Sequence, residues 1–499
     1  MSLQVYNTLS KTKEPFEPVV PGKVGIYLCG PTVYRPSHIG HGVGPVIFDA
    51  IKRYLTHKGY EVRLVVNITD VDDKLIAEAA AQNVPMAELA SRLTQSYFES
   101  LDALSVRSVD DFPRATDHIE QIIELVQRLV DKGAGYVVAG DVYFDHTQAV
   151  DYGKLSGRKV EQSLSGTRDV AGSSRHPADF ALWKASKEGE PSWDSPWGPG
   201  RPGWHIECSA MSMALLGETF YIHGGGMDLI FPHHENEIAQ SETATGRTYA
   251  KYWLHNGLTR VRTKAASGEW RDEKMSKSLG NIRTLTELLD RYDGETIRAF
   301  ILGTHYRRPL DFSDEQLEST ARAMSGFHRL FERLQRVTDQ NVYEPGQAIH
   351  QLNQDEHTDA QRQLAAEAIE LRLAFYRAMD DDFNTAGAIA ALHDMAGTIN
   401  RYIDDHRLEG RTDEVNKQLV AAAGRSLIDT GRILGLFERP APARRSVGLE
   451  SKLMELLIAL RARARADKNF ALADRIRDDL AAIGVTIEDA PGGTIWRME

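Results

Sequence analysis

Between Val24 and Ile68 the chain reads strand, helix, strand, and this run restricts the fold more than any other stretch of the 499 residues. Residues 23–29 are short, apolar and closed by Gly30, as a buried strand is. A turn follows from Gly30 to Ser37. A helix is predicted from near His41 through Ile47, Phe48, Ile51 and Tyr54 to about His57. Glu61 to Ile68 is a second apolar, β-branched strand. Such a crossover is right-handed and its strands parallel, so the chain is expected to open a doubly wound, Rossmann-like sheet. Ligands of these sheets sit beyond the carboxyl ends of the strands. Cys29, His38-Ile39-Gly40-His41 and Thr69-Asp70-Val71-Asp72-Asp73 all fall there.

The expected fold class is α/β. The Rossmann-like domain takes residues 1–116 and 206–270, with a connective insertion at 117–205. A junction follows at 271–313, then an all-α helical bundle at 314–438 and a small α+β module at 448–499. The insertion is predicted to hold a helix, a hairpin around Val137 to Phe144 and a polar, Gly/Ser-rich stretch from Asp151 to Ser174. Apolar strand–helix character returns at Cys208 to Leu229 and at Tyr252 to Leu258. Helical periodicity marks Asp314 to Val337, Gln361 to Ala378, Thr385 to Asp404 and Val415 to Leu434. Arg439 to Arg445 is a linker. The last module reads as a helical pair, Glu450 to Leu480, and strands around Val485 to Glu488 and Thr494 to Arg497.

Hydrophobic content of 42% and charged content of 26% are those of a globular protein in water. No apolar stretch is long enough to span a bilayer, and Met1 to Tyr6 has neither basic head nor apolar signal core. No membrane partner is expected. Two cysteines argue against a disulfide framework and for a reducing, cytoplasmic location. The net charge of -12 does not suit a protein that coats nucleic acid, and no DNA partner is expected. It leaves room for a local basic face that docks one folded RNA.

Those two cysteines are Cys29 and Cys208, and Phe231-Pro232-His233-His234-Glu235-Asn236-Glu237 follows the second. Two distant thiols with a His/Glu cluster make a four-ligand zinc site assembled by the fold, or else two unrelated buried thiols. His233 and Glu237, four apart, share a helix face; His234 and Glu237, three apart, fit nearly as well.

Two segments suit a nucleotide. His38-Ile39-Gly40-His41 opens the first helix, where ring N–H groups and free amides can meet phosphate oxygens and Gly40 permits close approach. Lys274-Met275-Ser276-Lys277-Ser278 gathers two lysines and two hydroxyls in one loop, a fit to the charge of a departing pyrophosphate. Taken singly, each is also a solvated loop.

With both segments in this order, the chain resembles the class I aminoacyl-tRNA synthetases. The finer resemblance is to the cysteinyl-tRNA synthetase family. It is carried by Leu28 to Tyr34, Asn67 to Lys74, Tyr152-Gly153-Lys154-Leu155-Ser156-Gly157-Arg158, Pro202 to Ser209, His223 to Glu237 and the terminal Ile495-Trp496-Arg497. The resemblance implies a cysteine–tRNA ligase that joins L-cysteine and ATP into cysteinyl-adenylate and then transfers cysteine to the 3′ end of tRNA(Cys). It implies one zinc ion per chain on Cys29, Cys208, His233 and Glu237, with magnesium accompanying ATP. His38, His41, Lys274 and Lys277 would stabilise phosphate charge, and Gly40 and Gly225 would lie against ATP with His38, His41 and Lys277. Thr69 and Asp228, at strand ends, are candidates for the substrate ammonium. Trp204 and His223 are candidates for the pocket wall, Trp204 being equally a core residue. Asp72 and Asp73 read as helix caps. Arg461, Arg463, Arg465 and Lys468 form an RNA-facing or merely solvated stripe, and Trp496 stacks on a base or closes its module. The family's usual form is a monomer.

A thiolate-preferring metal would separate cysteine from serine, which a pocket alone discriminates by only about a hundredfold. The chain departs from the family at Gly42-Val43-Gly44-Pro45, where an arginine is usual, at Arg35, and in a long stretch from Thr259 to Glu273. An alternative expectation is a cysteine ligase with a small-molecule acceptor of the mycothiol-pathway type. The helices after residue 310 and the terminal module favour tRNA.

Overall fold

A computed structural model describes residues 2–158, 174–264, 270–273, 283–410, 413–440, 449–490 and 493–498. Its centre is a four-stranded sheet of Lys23–Leu28, Glu61–Val66, Phe220–Gly226 and Ala250–Asn256. All neighbours are parallel, in the order Ala250–Asn256, Phe220–Gly226, Lys23–Leu28, Glu61–Val66. The chain therefore runs outward from Lys23–Leu28 to one side, and later returns on the other. The switch point falls between Lys23–Leu28 and Phe220–Gly226, where Leu28 pairs with Gly224 and the Cys29 amide donates to the Gly224 carbonyl at 3.0 Å. That is where an open parallel sheet offers its crevice.

The helix between the first two strands spans Ile39–His57, beginning two residues before the predicted start at His41. His38 caps it: its Nδ1 accepts the Gly40 amide at 3.2 Å, and His41 Nδ1 accepts the His38 amide at 3.4 Å. Histidine is not among the usual N-cap residues, so composition alone put the start too late. Pro45 consequently lies in the second turn, not the first, and has no N–H to give the His41 carbonyl. Packing holds the helix regardless, with Ile39, Val46, Phe48, Ala50, Ile51, Tyr54 and Leu55 fully buried.

The insertion carries the predicted helix, Ile119–Asp131, and the hairpin Gly135–Val138 with Asp141–Phe144. Two further strands, Phe180–Ala185 and Gly200–Pro202, extend that hairpin into a four-stranded antiparallel sheet. Neither was expected from sequence. The stretch from Thr259 to Glu273 contains an antiparallel hairpin, Thr259–Lys264 with Trp270–Glu273. Four long helices follow: Asp314–Thr338, Asp359–Asp380, Thr385–Asp405 and Glu414–Arg432.

Met1–Glu438 forms one compact unit and Arg439–Glu499 a second. The second pairs helices Leu449–Ala466 and Phe470–Ala482 with a hairpin, Val485–Ala490 and Gly493–Met498. Its core is Met454, Leu480 and Val485, and Trp496 packs against it, as a module-closing residue does. Arg463, Arg465 and Lys468 are exposed. Among the described residues, no helix is long and apolar enough to cross a membrane.

Candidate active site and metal centre

Four donor atoms converge at the switch point. Cys29 follows the first sheet strand, and Cys208 sits on helix Trp204–Leu216. His233 ends a turn that runs into helix Glu235–Thr245, whose first turn carries Glu237. Cys29 Sγ lies 3.6 Å from Cys208 Sγ and 3.4 Å from Glu237 Oε1, and His233 Nε2 lies 3.1 Å from Glu237 Oε1. All four ligand atoms fall within 4.8 Å of one another. The sulfurs form no disulfide.

A second grouping shares Cys29 and Glu237 but replaces the others with His223 and His234. Each of its histidines has one ring nitrogen engaged, while His223 Nδ1 and His234 Nε2 are buried without a partner. His223 Nε2 lies 2.8 Å from Glu237 Oε2, and His234 Nδ1 lies 2.8 Å from His255 Nε2. His234 Nε2 is also farther from Glu237 Oε1, at 3.9 Å. His233 thus stands nearer Glu237 than His234 does, a difference that spacing left open.

The protonation chemistry suits a cation. Burial and a hydrogen bond to Cys208 push the Cys29 thiol up, while that same hydrogen bond draws Cys208 down to about 6. Against the cost of burial, the His223 and His233 rings hold Glu237 well below the carboxylate range. Burial opposes charge on His233, but Glu237 and Cys208 outweigh it and push this ring up to about 10. The cluster therefore holds anionic Cys208 and Glu237 against a protonated His233, with Cys29 as a neutral thiol.

Around the four donors lie groups that sequence reasoning missed. Tyr249 donates to Glu237 Oε2 at 3.1 Å, and His205 Nδ1 lies 2.9 Å from His233 Nδ1. Trp253 stacks on His223 at 4.5 Å and His255 reaches Thr8 Oγ1 at 2.9 Å. Such partners orient ligands and set their basicity. Trp253 and His255 on a strand, Tyr249 just before it and His205 on a helix do not declare such partners, and only the fold reveals what they touch.

The candidate pocket residues are placed differently from one another. Trp204 is half-buried with its ring 4.3 Å from His233. His223 is fully buried as a partner of Glu237. Thr69 is buried and its hydroxyl donates to Glu207 Oε2 at 3.1 Å, so it is already engaged. Glu207 is itself buried, and burial and Cys208 raise its carboxyl well above the usual range. Asp228 is exposed on the turn after strand Phe220–Gly226. Asp72 caps helix Asp73–Gln82 through the Lys74 amide at 2.8 Å, as expected. Asp73 instead pairs with Lys184 and Arg201. Gly225 faces the His234 ring: a Cβ there would lie 2.6 Å from His234 Cε1, so glycine is needed for the ring to pass beneath.

His38 and His41 are half-buried and stacked, with centroids 3.9 Å apart. Burial lowers both, His41 to about 3 with help from His38. Each Nδ1 accepts a backbone N–H, which places the proton of each neutral ring on Nε2. Two N–H donors at a helix N-terminus are a site for phosphate oxygens. Lys274, Met275, Ser276, Lys277 and Ser278 lie outside the described residues. The chain re-emerges beside this site, where Thr284 bridges to His38 and the Leu285 amide donates to the Ser37 carbonyl at 2.8 Å.

The parallel sheet, the histidines at its first helix N-terminus and the thiols at its switch point all lie in a segment that matches the catalytic domain of class I aminoacyl-tRNA synthetases. Residues 15–322 match the class I (C) tRNA synthetase catalytic domain, 374–438 the DALR domain and 451–497 the cysteinyl-tRNA ligase anticodon binding domain. The cysteine–tRNA ligase of Geobacter metallireducens is 46% identical over 509 residues, covering 100% of both chains. That of Thermococcus onnurineus is 45% identical over 498 residues, covering 100% of this chain and 99% of its own. The chain belongs to the cysteine–tRNA ligase family. The fold is shared with Mycobacterium tuberculosis methionyl-tRNA synthetase bound by methionyl-adenylate, at a TM-score of 0.61 and 19% identity, covering 84% of this chain and 91% of that one.

Proposed function

We propose that the crevice activates L-cysteine with ATP and then esterifies the 3′ end of tRNA(Cys), with a zinc ion held by Cys29, Cys208, His233 and Glu237. The donor set is the observation that carries this reading. A tetrahedral ion with bonds of about 2.0–2.3 Å needs donors about 3.3–3.8 Å apart. Cys29 and Cys208 at 3.6 Å, and Cys29 and Glu237 at 3.4 Å, fall in that range; His233 and Glu237 at 3.1 Å fall just below it. Bound there, zinc supplies a Lewis acid that prefers a thiolate to an alcohol, the one chemical difference between cysteine and serine.

The chain's own groups act on phosphate. The cysteine carboxylate, already ionised, attacks the α-phosphorus of ATP and pyrophosphate leaves, so no side chain need serve as base. His38 and His41 donate from Nε2 to phosphate oxygens as charge develops, and Lys274 and Lys277 are assigned to the departing pyrophosphate. Magnesium enters with ATP. In the second step a ribose hydroxyl of the tRNA attacks the adenylate carbonyl and AMP leaves. The helices after Asp314 and the terminal module are assigned to holding tRNA.

We place this chemistry in a cytoplasmic monomer. Unbridged thiols 3.6 Å apart suit a reducing compartment, and a solution mass well above 55.7 kDa would exclude the monomer. The deciding experiment charges total tRNA with labelled cysteine and measures zinc in the same preparation. Charging confined to cysteine-accepting tRNA, with one zinc per chain, is expected. Cysteine-dependent pyrophosphate exchange without charging would move the acceptor to a small molecule. His233→Ala should lose the metal while His234→Ala retains it; the reverse pattern would transfer the ligand role.

A further inference from the structure

The Tyr152–Arg158 strap has no role in the reaction above, yet it grips the turn that carries two of the four metal donors. Glu235 lies midway between His233 and Glu237 and is 1% exposed. Its carboxylate is taken up by the strap. Oε1 accepts the Gly153 amide at 3.0 Å and the Leu155 amide at 3.3 Å, and Oε2 accepts the Ser156 amide at 2.8 Å. Three N–H groups from one four-residue stretch thus converge on a single carboxylate, as in a backbone anion site, while the Lys154 amide between them turns to the Asp151 carbonyl. The neighbouring contacts repeat the grip: Tyr152 donates to Asn236 Oδ1 and Lys154 pairs with Glu242.

We propose that Glu235 is a positioning residue for cysteine binding, acting through the rotation of the turn that presents His233 and Glu237. The proposal rests on the metal reading above. A helix turns about 100° per residue, so anchoring the middle residue of a five-residue run sets the direction of both ends. His233 and Glu237 otherwise find their polar partners inside the donor cluster and its surround: His205, His223 and Tyr249. Glu235 anchors the turn to a separate element, the strap, before any metal arrives. The strap is built for this. Gly153 has φ +98, and a Cβ there would lie 2.3 Å from the Arg158 carbonyl oxygen. Leu155, 1% exposed, enters the apolar cluster of Tyr27, Cys208, Ile238 and Trp253, against which Cys29 packs. One short segment thus closes the outer side of the thiol cluster and fixes the opposite ligand turn.

Glu235→Gln tests this in the full-length chain, because its amide keeps one acceptor oxygen, loses the charge and turns an N–H2 group towards the donors on the other side, Ser156 or else Gly153 and Leu155. The KM for cysteine should rise about tenfold or more, and zinc should pass to a competing chelator about tenfold faster, as losses of outer partners of metal ligands do. The KM for ATP should stay within about twofold. Gly153→Ala, from the strap side, should give the same split, and the double variant should fall short of additivity. Tyr152→Phe removes only the hydroxyl on Asn236, keeps the fold, and should show the same split at smaller size. Unchanged cysteine KM and unchanged zinc retention in Glu235→Gln would overturn the proposal. So would equal rises in both KM values with a lowered Tm, the mark of a merely structural clasp. If the parent charges tRNA yet carries no zinc, the metal reading fails by itself, and the KM split alone decides the positioning role.

Discussion

Arg298→Met should cost about 5 kcal/mol of stability while leaving the chemistry intact. Arg298, on helix Gly294–Leu302, is fully buried. Its Nε donates to the Leu434 carbonyl at 2.6 Å, Nη1 to the Leu104 and Ser105 carbonyls at 3.0 and 3.1 Å, and Nη2 to Asp49. One side chain thereby joins the first crossover helix, the turn after helix Met86–Ala103 and the end of the last bundle helix. Methionine matches the length but makes none of these bonds. The Ser105 carbonyl keeps Arg53 at 3.0 Å, so two carbonyls are orphaned, at about 1–3 kcal/mol each. Breaking a buried ion pair costs about 3–5 kcal/mol when the survivor is left alone. Asp49 is not left alone: it retains Arg53 at 2.8 Å and the Ser108 hydroxyl at 2.6 Å, so only part of that applies. About 5 kcal/mol is comparable with a domain's whole margin, and at about 2 °C per kcal/mol it lowers Tm by about 10 °C. Far-UV circular dichroism during heating reads the shift, and pyrophosphate exchange at low temperature reads the site. A Tm within about 2 °C of the parent would show that the pair contributes nothing net. A smaller loss in Arg298→Met with Asp49→Asn than the two singles sum to would confirm that the charges act on each other.

Cys208→Ser should lose bound zinc and, with it, the preference for cysteine over serine in pyrophosphate exchange; full zinc content by elemental analysis would remove Cys208 from the donor set. Gly225→Ala pushes a methyl to 2.6 Å from the His234 ring, and strain of about 1–3 kcal/mol should appear as a lowered Tm and slower exchange; an unchanged Tm would mean that the ring moves aside freely. His41 titrates near 3 when folded but near 6.5 in the unfolded chain, because burial and His38 oppose its charge. Between those values the unfolded chain binds more protons, so His41 makes stability fall as pH drops below about 6.5, by up to about 1.4 kcal/mol per pH unit. His41→Gln should flatten that slope in urea titrations of the ligand-free protein, and an unchanged slope would show that His41 is not buried against charge.

Periodic elements were legible in the sequence and spatial partnerships were not. Helices Asp314–Thr338 and Thr385–Asp405 end within a residue of where apolar spacing places them, because local packing stripes set their length. Strand Phe180–Ala185 was missed because it is buried nearly throughout and so lacks alternation, and Gly200–Pro202 because it has three residues and ends in proline. The start at Ile39 was missed because histidines supply a cap that serine or aspartate usually supplies. The set Cys29, Cys208, His233 and Glu237 came from the family resemblance, and the fold brings these four side chains together. Which histidine stands nearer Glu237 could not be read from spacing, since the difference is 3.1 against 3.9 Å.

The deeper limit concerns the groups around those donors. Tyr249 and Trp253 lie on or beside an apolar strand and read as core, and His223 was a candidate for the pocket wall; all three are almost fully buried. Buried polar groups must be partnered, so each such position implies a contact without naming it. Glu235 is the sharpest case. The sequence assigns it no role beside His233 and Glu237, yet its carboxylate is bound by amides about eighty residues earlier in the chain. Ligand identity is set by side-chain chemistry, which the sequence states outright. Ligand direction is set by which distant backbone happens to dock on the next residue, and only the folded chain contains that.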